Sequence, residues 1–425
     1  MTGRGRRRLG SPMRILIAAD TYAPDVNGAS TFAQRLAAGL TARHEVHVVA
    51  PARGPRSTRA TVAGIVEHRL RAVPVVVGGT GLRFCPPVGL ARAATRVLRE
   101  VRPDVVHVQS HFLVGRALVG AANRLGIPVV ATNHFMPENL THHVPVGVRA
   151  RAALHGWAWA DAAAVFTRAD VVTAPTPYAA ALAERAGIPG PVLPISCGMD
   201  LHRFAPDPSG ALRAGFRARH GIPDRPTIGY VGRLAPEKNV SELVEALALV
   251  RRLRPELDAQ LLLVGDGAQR AGLLRRAAEL GVADRVVSTG FVPEADLPAA
   301  YLACDAFANA GTAELQSLVV LEAMASGLPV LGVDACALPH LVRDGENGFL
   351  FPHARPDALA ARLALVLGEP ALAARMGARS LELAAEHDES RTLARFEELY
   401  ALRRTARTTA RSLQVTVPAP SGDRV

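Results

Sequence analysis

The chain has 425 residues, 49% of them hydrophobic, 20% charged and 4% aromatic. That apolar share excludes a disordered or collagen-like chain over most of the length, and the size fits two or three domains. The net charge of +11 is uneven: residues 1–12 carry +4, 13–200 carry +8, 201–400 carry −5 and 401–425 carry +4. A basic first half beside an acidic second half argues against a continuous nucleic-acid groove and for one-sided attraction to an anionic surface or ligand. The longest apolar stretches, near 171–183 and 186–199, are short and interrupted, so no transmembrane helix is expected. The run 15–19 follows several arginines but is too short for a signal peptide. Four dispersed cysteines, with no Cys-x-x-Cys, fit a reduced cytosolic protein with free thiols rather than a zinc site.

In chain order, β-rich runs at 14–19, 44–49, 104–109, 128–132, 170–174 and 191–195 alternate with helical patterns at 30–40, 90–101, 114–125 and 150–168. A second series begins at 227–231 and continues through 260–264, 285–289, 305–308 and 329–333, with helices near 240–252, 268–280, 317–326 and 356–367. Such alternation predicts two doubly wound parallel sheets, an α/β architecture. The join is expected in 199–226, where prolines and Gly210 interrupt the pattern, and 386–404 reads as a late helix. The expected division is a disordered basic tail at 1–12, a first domain at 13–205, a second at 206–385, a helix at 386–406 crossing back to the first domain, and a disordered tail at 407–425.

In open parallel sheets ligands bind beyond the carboxyl ends of the strands, so the loops there carry the chemistry. The first, from Asp20 to Ser30, contains Asn27-Gly28, which supplies backbone freedom, and Ser30 or Thr31 as a helix cap. An ordinary βα turn explains this loop equally well. His134 follows the fourth of the six strand runs in the first half and faces the expected cleft. Gly232-Arg233-Leu234-Ala235-Pro236-Glu237-Lys238-Asn239 follows the first strand of the second series. Its two cations can converge on a diphosphate. Lys238 is the only lysine among 49 basic residues, which singles it out from a merely solvated basic loop. Finally, Glu314 and Glu322, eight apart, flank the start of an apolar helix that closes on Gly327 and Pro329. The N–H groups at that helix start suit phosphate, and the glutamates suit sugar hydroxyls. A buried carboxylate at Glu322 is costly unless it has a partner.

These loops, together with Val264-Gly265-Asp266-Gly267 and Asp344-Gly345-Glu346-Asn347-Gly348-Phe349, resemble the retaining glycosyltransferases of the GT-B fold, family 4, over about residues 14–404. Phosphatidylinositol mannosyltransferases and glycolipid glucosyltransferases are among that family's members. The resemblance implies two Rossmann-like domains facing a central cleft, with Arg233 and Lys238 on the donor diphosphate and Glu314 on the transferred sugar. It implies that Leu318 and Val319 offer N–H groups to the phosphates, Glu322 binds the ribose, Gly28 lets the first domain close on the donor, and His134 lies at the reacting face. Gly265 and Phe291-Val292 would border the base. One departure is Ser317, where many members carry glycine.

The activity implied by the resemblance is a metal-independent transfer of hexose from a UDP- or GDP-linked donor, without cofactor, to a hydroxyl acceptor such as a membrane lipid or envelope glycan precursor. Absence of Asp-x-Asp and Walker motifs agrees with diphosphate binding by basic side chains. The expected partners are the nucleotide-diphosphate sugar and an anionic membrane surface, not nucleic acid. Arg149, Arg151, Trp157 and Trp159 add to the membrane expectation, and the location would be cytoplasmic, at the inner face of the membrane if the acceptor is lipid. Transfer to a soluble small molecule and non-catalytic binding of a nucleotide sugar are the alternatives.

Overall fold

The structure is a computed structural model and describes residues 11–25, 27–77, 80–137 and 147–415. The expected tail at 1–12 therefore lies outside the described residues up to residue 10, and the last tail does so from 416 onward.

Among the described residues ten strands precede residue 200: β1 Arg14–Ala18, β2 Glu45–Pro51, β3 Thr58–Val62, β4 Ile65–Leu70, β5 Val73–Val77, β6 Thr80–Phe84, β7 Val105–Val108, β8 Val129–Thr132, β9 Val171–Ala174 and β10 Leu193–Pro194. Eight of them form one sheet in the order β10-β9-β8-β7-β1-β2-β4-β3, and β5 pairs with β6 alone. All neighbours in the large sheet run parallel except β3 and β4. The second sheet, β13-β12-β11-β14-β15-β16, is wholly parallel. Its strands are β11 Thr227–Val231, β12 Gln260–Val264, β13 Val286–Gly290, β14 Ala306–Asn309, β15 Val330–Val333 and β16 Gly348–Phe351. Central strands such as β7, β8, β12 and β14 are buried at every position because helices cover both faces.

The expected strands and most helices are present, and the differences have local causes. The antiparallel β3–β4 hairpin escaped notice because its side chains are mixed polar and apolar. It turns at Ala63-Gly64, both at positive φ, between the paired Val62 and Ile65. The supposed join contains helix Ala211–His220, whose Phe216 packs in the second core and whose Arg217 donates to Ala303 O and Thr227 Oγ1. The terminal helix runs Glu389–Val415, beyond the limit of 406 expected for it. Straight-chain arginine side chains such as Arg403 and Arg404 favour helix.

That terminal helix packs against the first sheet. Phe396, Leu399 and Tyr400 share a core with Ile15, Ile17, Phe32 and Leu36. Glu397 accepts from Arg43 at 2.8 Å and lies 3.1 Å from His44 Nε2, while Tyr400 and His107 share a 2.6 Å hydrogen bond. Phe396→Ala is expected to cost about 3–5 kcal/mol of stability, the range for a fully buried Phe. Urea unfolding would measure it, and a loss below about 1 kcal/mol would mean the helix is not part of the core.

Candidate active site

The carboxyl ends of both sheets meet across a seam made largely by residues 313–318. Ala313 and Leu315 pack in the first core. Thr176, which caps helix Pro177–Arg185, donates its hydroxyl to Leu315 O at 2.8 Å. Gln316 accepts from Cys197 N and donates to Ser196 Oγ, both at 2.8 Å.

On the second sheet's side, Lys238 Nζ donates to Glu314 Oε1 at 2.7 Å. The loop that carries Lys238 is tied to its neighbour by Asn239, which sits at positive φ and donates to Ala310 O at 3.0 Å. Arg233 does not meet Lys238; its guanidinium pairs with the buried Glu237, whose Oε2 has no hydrogen-bond partner. Tyr230 donates its hydroxyl to Arg233 O at 3.0 Å and fixes the loop from below. Gly265, at φ +134, lets the loops after β11 and β12 touch: a Cβ there would lie 2.0 Å from Gly232 O.

Helix Leu318–Ala325 begins half-exposed at Leu318 and Val319, whose N–H groups have no intrahelical acceptor. Ser317 occupies the cap position at φ −90, so glycine is not required by the backbone. Its hydroxyl turns inward and accepts from Asn309 Nδ2 at 3.0 Å, leaving the helix tip open. One turn on, Glu322 is buried and accepts from Tyr301 OH at 2.7 Å. Burial pushes its pKa up, against the lowering pull of Tyr301 and Arg35. Arg35 reaches it from helix Gly28–Leu40 of the first sheet at 4.0 Å, and Arg35 Nη1 is buried without a partner.

On the first sheet's side, His134 follows β8, with Nε2 3.0 Å from Gln109 Oε1 and its ring 5.0 Å from that of Phe32. One edge remains accessible, yet the ring is densely surrounded, and desolvation pushes its pKa down to about 4. The imidazole is therefore neutral near pH 7. Gly28 is the first residue of its helix and a Cβ there would meet nothing within 4 Å. Backbone freedom is thus not what Gly28 supplies; it leaves open space beside the helix tip. Asn27, not Ser30 or Thr31, caps this helix, accepting from Ser30 N at 2.9 Å. The chain after His134 lies outside the described residues from 138 to 146.

The geometry therefore joins Lys238 to Glu314 beside the Leu318–Val319 tip and joins Glu322 to Arg35 across the seam. It leaves Arg233 on its own carboxylate, and His134 touches only first-sheet residues among the described contacts. Sequence reasoning missed Gln109, Arg35, Glu237 and Tyr301. Gln109 directly follows β7 and was open to the rule that singled out His134. Arg35 and Tyr301 lie inside helices and act only through long-range packing.

Two doubly wound sheets with a cation, a carboxylate and a helix tip at their facing carboxyl ends define a GT-B glycosyltransferase. Solved structures agree on the fold: HepE from Anabaena, in complex with UDP, superposes with a TM-score of 0.72 at 22% identity over 92% of this chain and 100% of that one. Sucrose-phosphate synthase from Thermosynechococcus elongatus gives 0.72 at 23% identity over 93% and 100%. Residues 26–203 match the description Glycosyltransferase Family 4, and residues 213–382 match Glycosyl transferases group 1. The chain is 34% identical over 359 residues to a GDP-mannose-dependent alpha-mannosyltransferase of Mycobacterium tuberculosis, covering 82% of this chain and 87% of that protein. It is 31% identical over 409 residues to the GDP-mannose-dependent alpha-(1-6)-phosphatidylinositol monomannoside mannosyltransferase of Mycolicibacterium smegmatis, covering 92% and 100%. The chain belongs to glycosyltransferase family 4 and is a retaining, nucleotide-sugar-dependent glycosyltransferase.

Removing the Tyr301 hydroxyl leaves the buried Glu322 carboxylate with only the 4.0 Å Arg35 contact. Tyr301→Phe is expected to cost about 1–3 kcal/mol at pH 7.5. Unchanged urea midpoints would show that Tyr301 does not support that carboxylate.

Proposed function

We propose that the chain transfers mannose from GDP-mannose to a hydroxyl of an acceptor presented at an anionic membrane surface. The observation that carries the site assignment is the contact of Lys238 with Glu314 beside the open tip of helix Leu318–Ala325. A cation and a row of free N–H groups suit a diphosphate, and the adjacent carboxylate suits sugar hydroxyls. The donor choice is supported by relatives, 29–35% identical, whose names carry GDP-mannose dependence.

In this reading the bond from the anomeric carbon to the diphosphate breaks, leaving positive charge on the sugar and negative charge on the departing oxygens. Lys238 and the helix tip stabilise that negative charge, and Arg233 joins them by leaving Glu237. The acceptor oxygen attacks from the face the diphosphate leaves, so configuration is retained, and its proton passes to a phosphate oxygen. Glu314 and neutral His134 hold the sugar through hydrogen bonds, Glu322 binds the ribose, and Gly265 and the exposed Phe291 border the base. Gly28 gives the donor room at the first sheet. The domain limits proposed are 13–205 and 206–385, with 386–406 crossing back.

The membrane part is supported by helix Leu90–Val101, which buries Leu90, Ala94, Val97, Leu98 and Val101 and turns Arg92, Arg96 and Arg99 outward. These line a groove with Arg124, and none has a carboxylate partner among the described residues. Val88, 92% exposed, leads into the helix. Trp157 is 67% exposed on helix Val148–Phe166, whereas Trp159 packs against Phe135. Among the described residues no helix is long and apolar enough to cross a membrane.

Lys238→Ala is expected to lower donor turnover roughly 10²–10³-fold, equivalent to about 3–4 kcal/mol. A folded variant with near-normal transfer would refute the role, and inhibition by EDTA would contradict a metal-free scheme. Thermal-shift screening with GDP-, UDP- and ADP-sugars checks the donor, with stabilisation by GDP-mannose expected. Each surface arginine contributes about 1 kcal/mol near anionic lipid. Reversing Arg92, Arg96 and Arg99 to Glu should therefore abolish sedimentation with phosphatidylglycerol vesicles, and no vesicle binding by the wild type at low salt would favour a soluble acceptor.

A further inference from the structure

Gln109 stands directly after β7 and is 1% exposed. Its Oε1 lies 3.0 Å from His134 Nε2, and its Nε2 has no hydrogen-bond partner. A buried amide with one end engaged and the other idle is disfavoured unless something uses the idle end. In this orientation the Gln109 carbonyl oxygen only accepts, so the contact is a hydrogen bond when His134 carries its proton on Nε2.

The surroundings of the ring leave little else to decide that proton. Phe32, from helix Gly28–Leu40, presents an aromatic face. His107, on the neighbouring β7, is a titratable group coupled to the ring by charge; it is itself buried, with its pKa pushed down to about 3. Its nitrogens are taken by Tyr400 OH, from the terminal helix, and by Thr132 Oγ1. Among the described residues no carboxylate, guanidinium or ammonium bonds to His134.

We propose that Gln109 is a positioning residue whose carbonyl fixes the single proton of His134 on Nε2, so that Nδ1 accepts from a sugar hydroxyl. A neutral imidazole has one donor and one acceptor, and the amide decides which is which. The sugar contact rests on the glycosyl-transfer reading above; the tautomer does not.

The first test is ¹⁵N NMR of the full chain labelled at histidine, with His134 assigned by its loss in His134→Asn. A protonated Nε2 and bare Nδ1 are expected at pH 7; the opposite tautomer overturns the proposal whether or not the protein turns over any donor. The second test compares two nearly isosteric variants. In Gln109→Glu, a carboxylate accepts the same proton and favours the imidazolium, so the acidic limb of turnover should rise from near the wild-type value by about one pH unit or more. Sign and window follow from His134 standing at about 4: wild-type activity is lost only as pH falls through that value, and the variant loses it earlier. Gln109→Leu should lower kcat about tenfold or more while GDP affinity stays within about threefold. An unmoved acidic limb in Gln109→Glu, or wild-type kcat in Gln109→Leu, would overturn the role. A wild type that binds no nucleotide at all would instead count against the parent reading, with the NMR result still deciding the tautomer.

Discussion

The contact between the Lys238 ammonium and the Glu314 carboxylate fixes the layout of the cleft. Strands β11 and β14 are neighbours in the sheet, so the loops after them run side by side. Gly311 permits the close approach: a Cβ there would lie 3.0 Å from Asn309 Oδ1 and 3.3 Å from Glu314 Oε1. Both charges are largely withdrawn from water, where their attraction is stronger than at an open surface. Withdrawal also means that neither is tolerable alone. In the proposed reading an incoming diphosphate would replace one anion near Lys238 with another and leave the released carboxylate facing the sugar. Arg233 repeats the arrangement with Glu237. The unliganded cleft thus stores its cations on its own carboxylates.

The same stretch of chain also closes the molecule. In residues 313–318 the apolar Ala313 and Leu315 enter the first core, while Glu314 and Gln316 make the polar contacts between them. Alternate side chains of this bent segment go to the core and to polar partners, so one short stretch serves packing and polar contact at once. Helix Leu318–Ala325 starts immediately afterwards, and Leu318 itself packs against the core under the terminal helix. Formation of the Lys238–Glu314 contact and apposition of the two sheets are consequently one structural event. A change that spreads the seam at Thr176 or Gln316 would shift Glu314 relative to Lys238 without touching either.

Much of this was legible in the sequence. Parallel strands such as β7, β8 and β12, buried on both faces, carry short Val- and Leu-rich runs and were recognisable from those runs. The lone lysine marked its loop, and the costly carboxylate at Glu322 marked its helix. What stayed hidden depended on partners distant in sequence. Tyr301 satisfies Glu322 from 21 residues away, and Arg35 reaches it from the other sheet. The pairing of Arg233 with Glu237 lay within one loop, but spacing alone does not say whether a cation faces a ligand or its neighbour. The hairpin β3–β4 and helix Ala211–His220 were missed because neither has the uniform apolar run of a buried strand.

His134 shows how far such dependence extends. Phe32 packs against its ring, Phe396 packs against Phe32 at 5.9 Å, and Phe396 also lies 5.0 Å from His107. The wall behind the histidine therefore includes a helix that begins at Glu389, 195 residues beyond Pro194 at the end of the first sheet's last strand. Desolvation by this wall holds the imidazole neutral, and a neutral ring can hold a hydroxyl but cannot bring a full charge to the reaction. In the proposed reading, positive charge at the leaving group would then come from Lys238 and Arg233 on the other face of the cleft, and the part left to His134, a neutral hydrogen-bonding ring, follows from where the terminal helix packs.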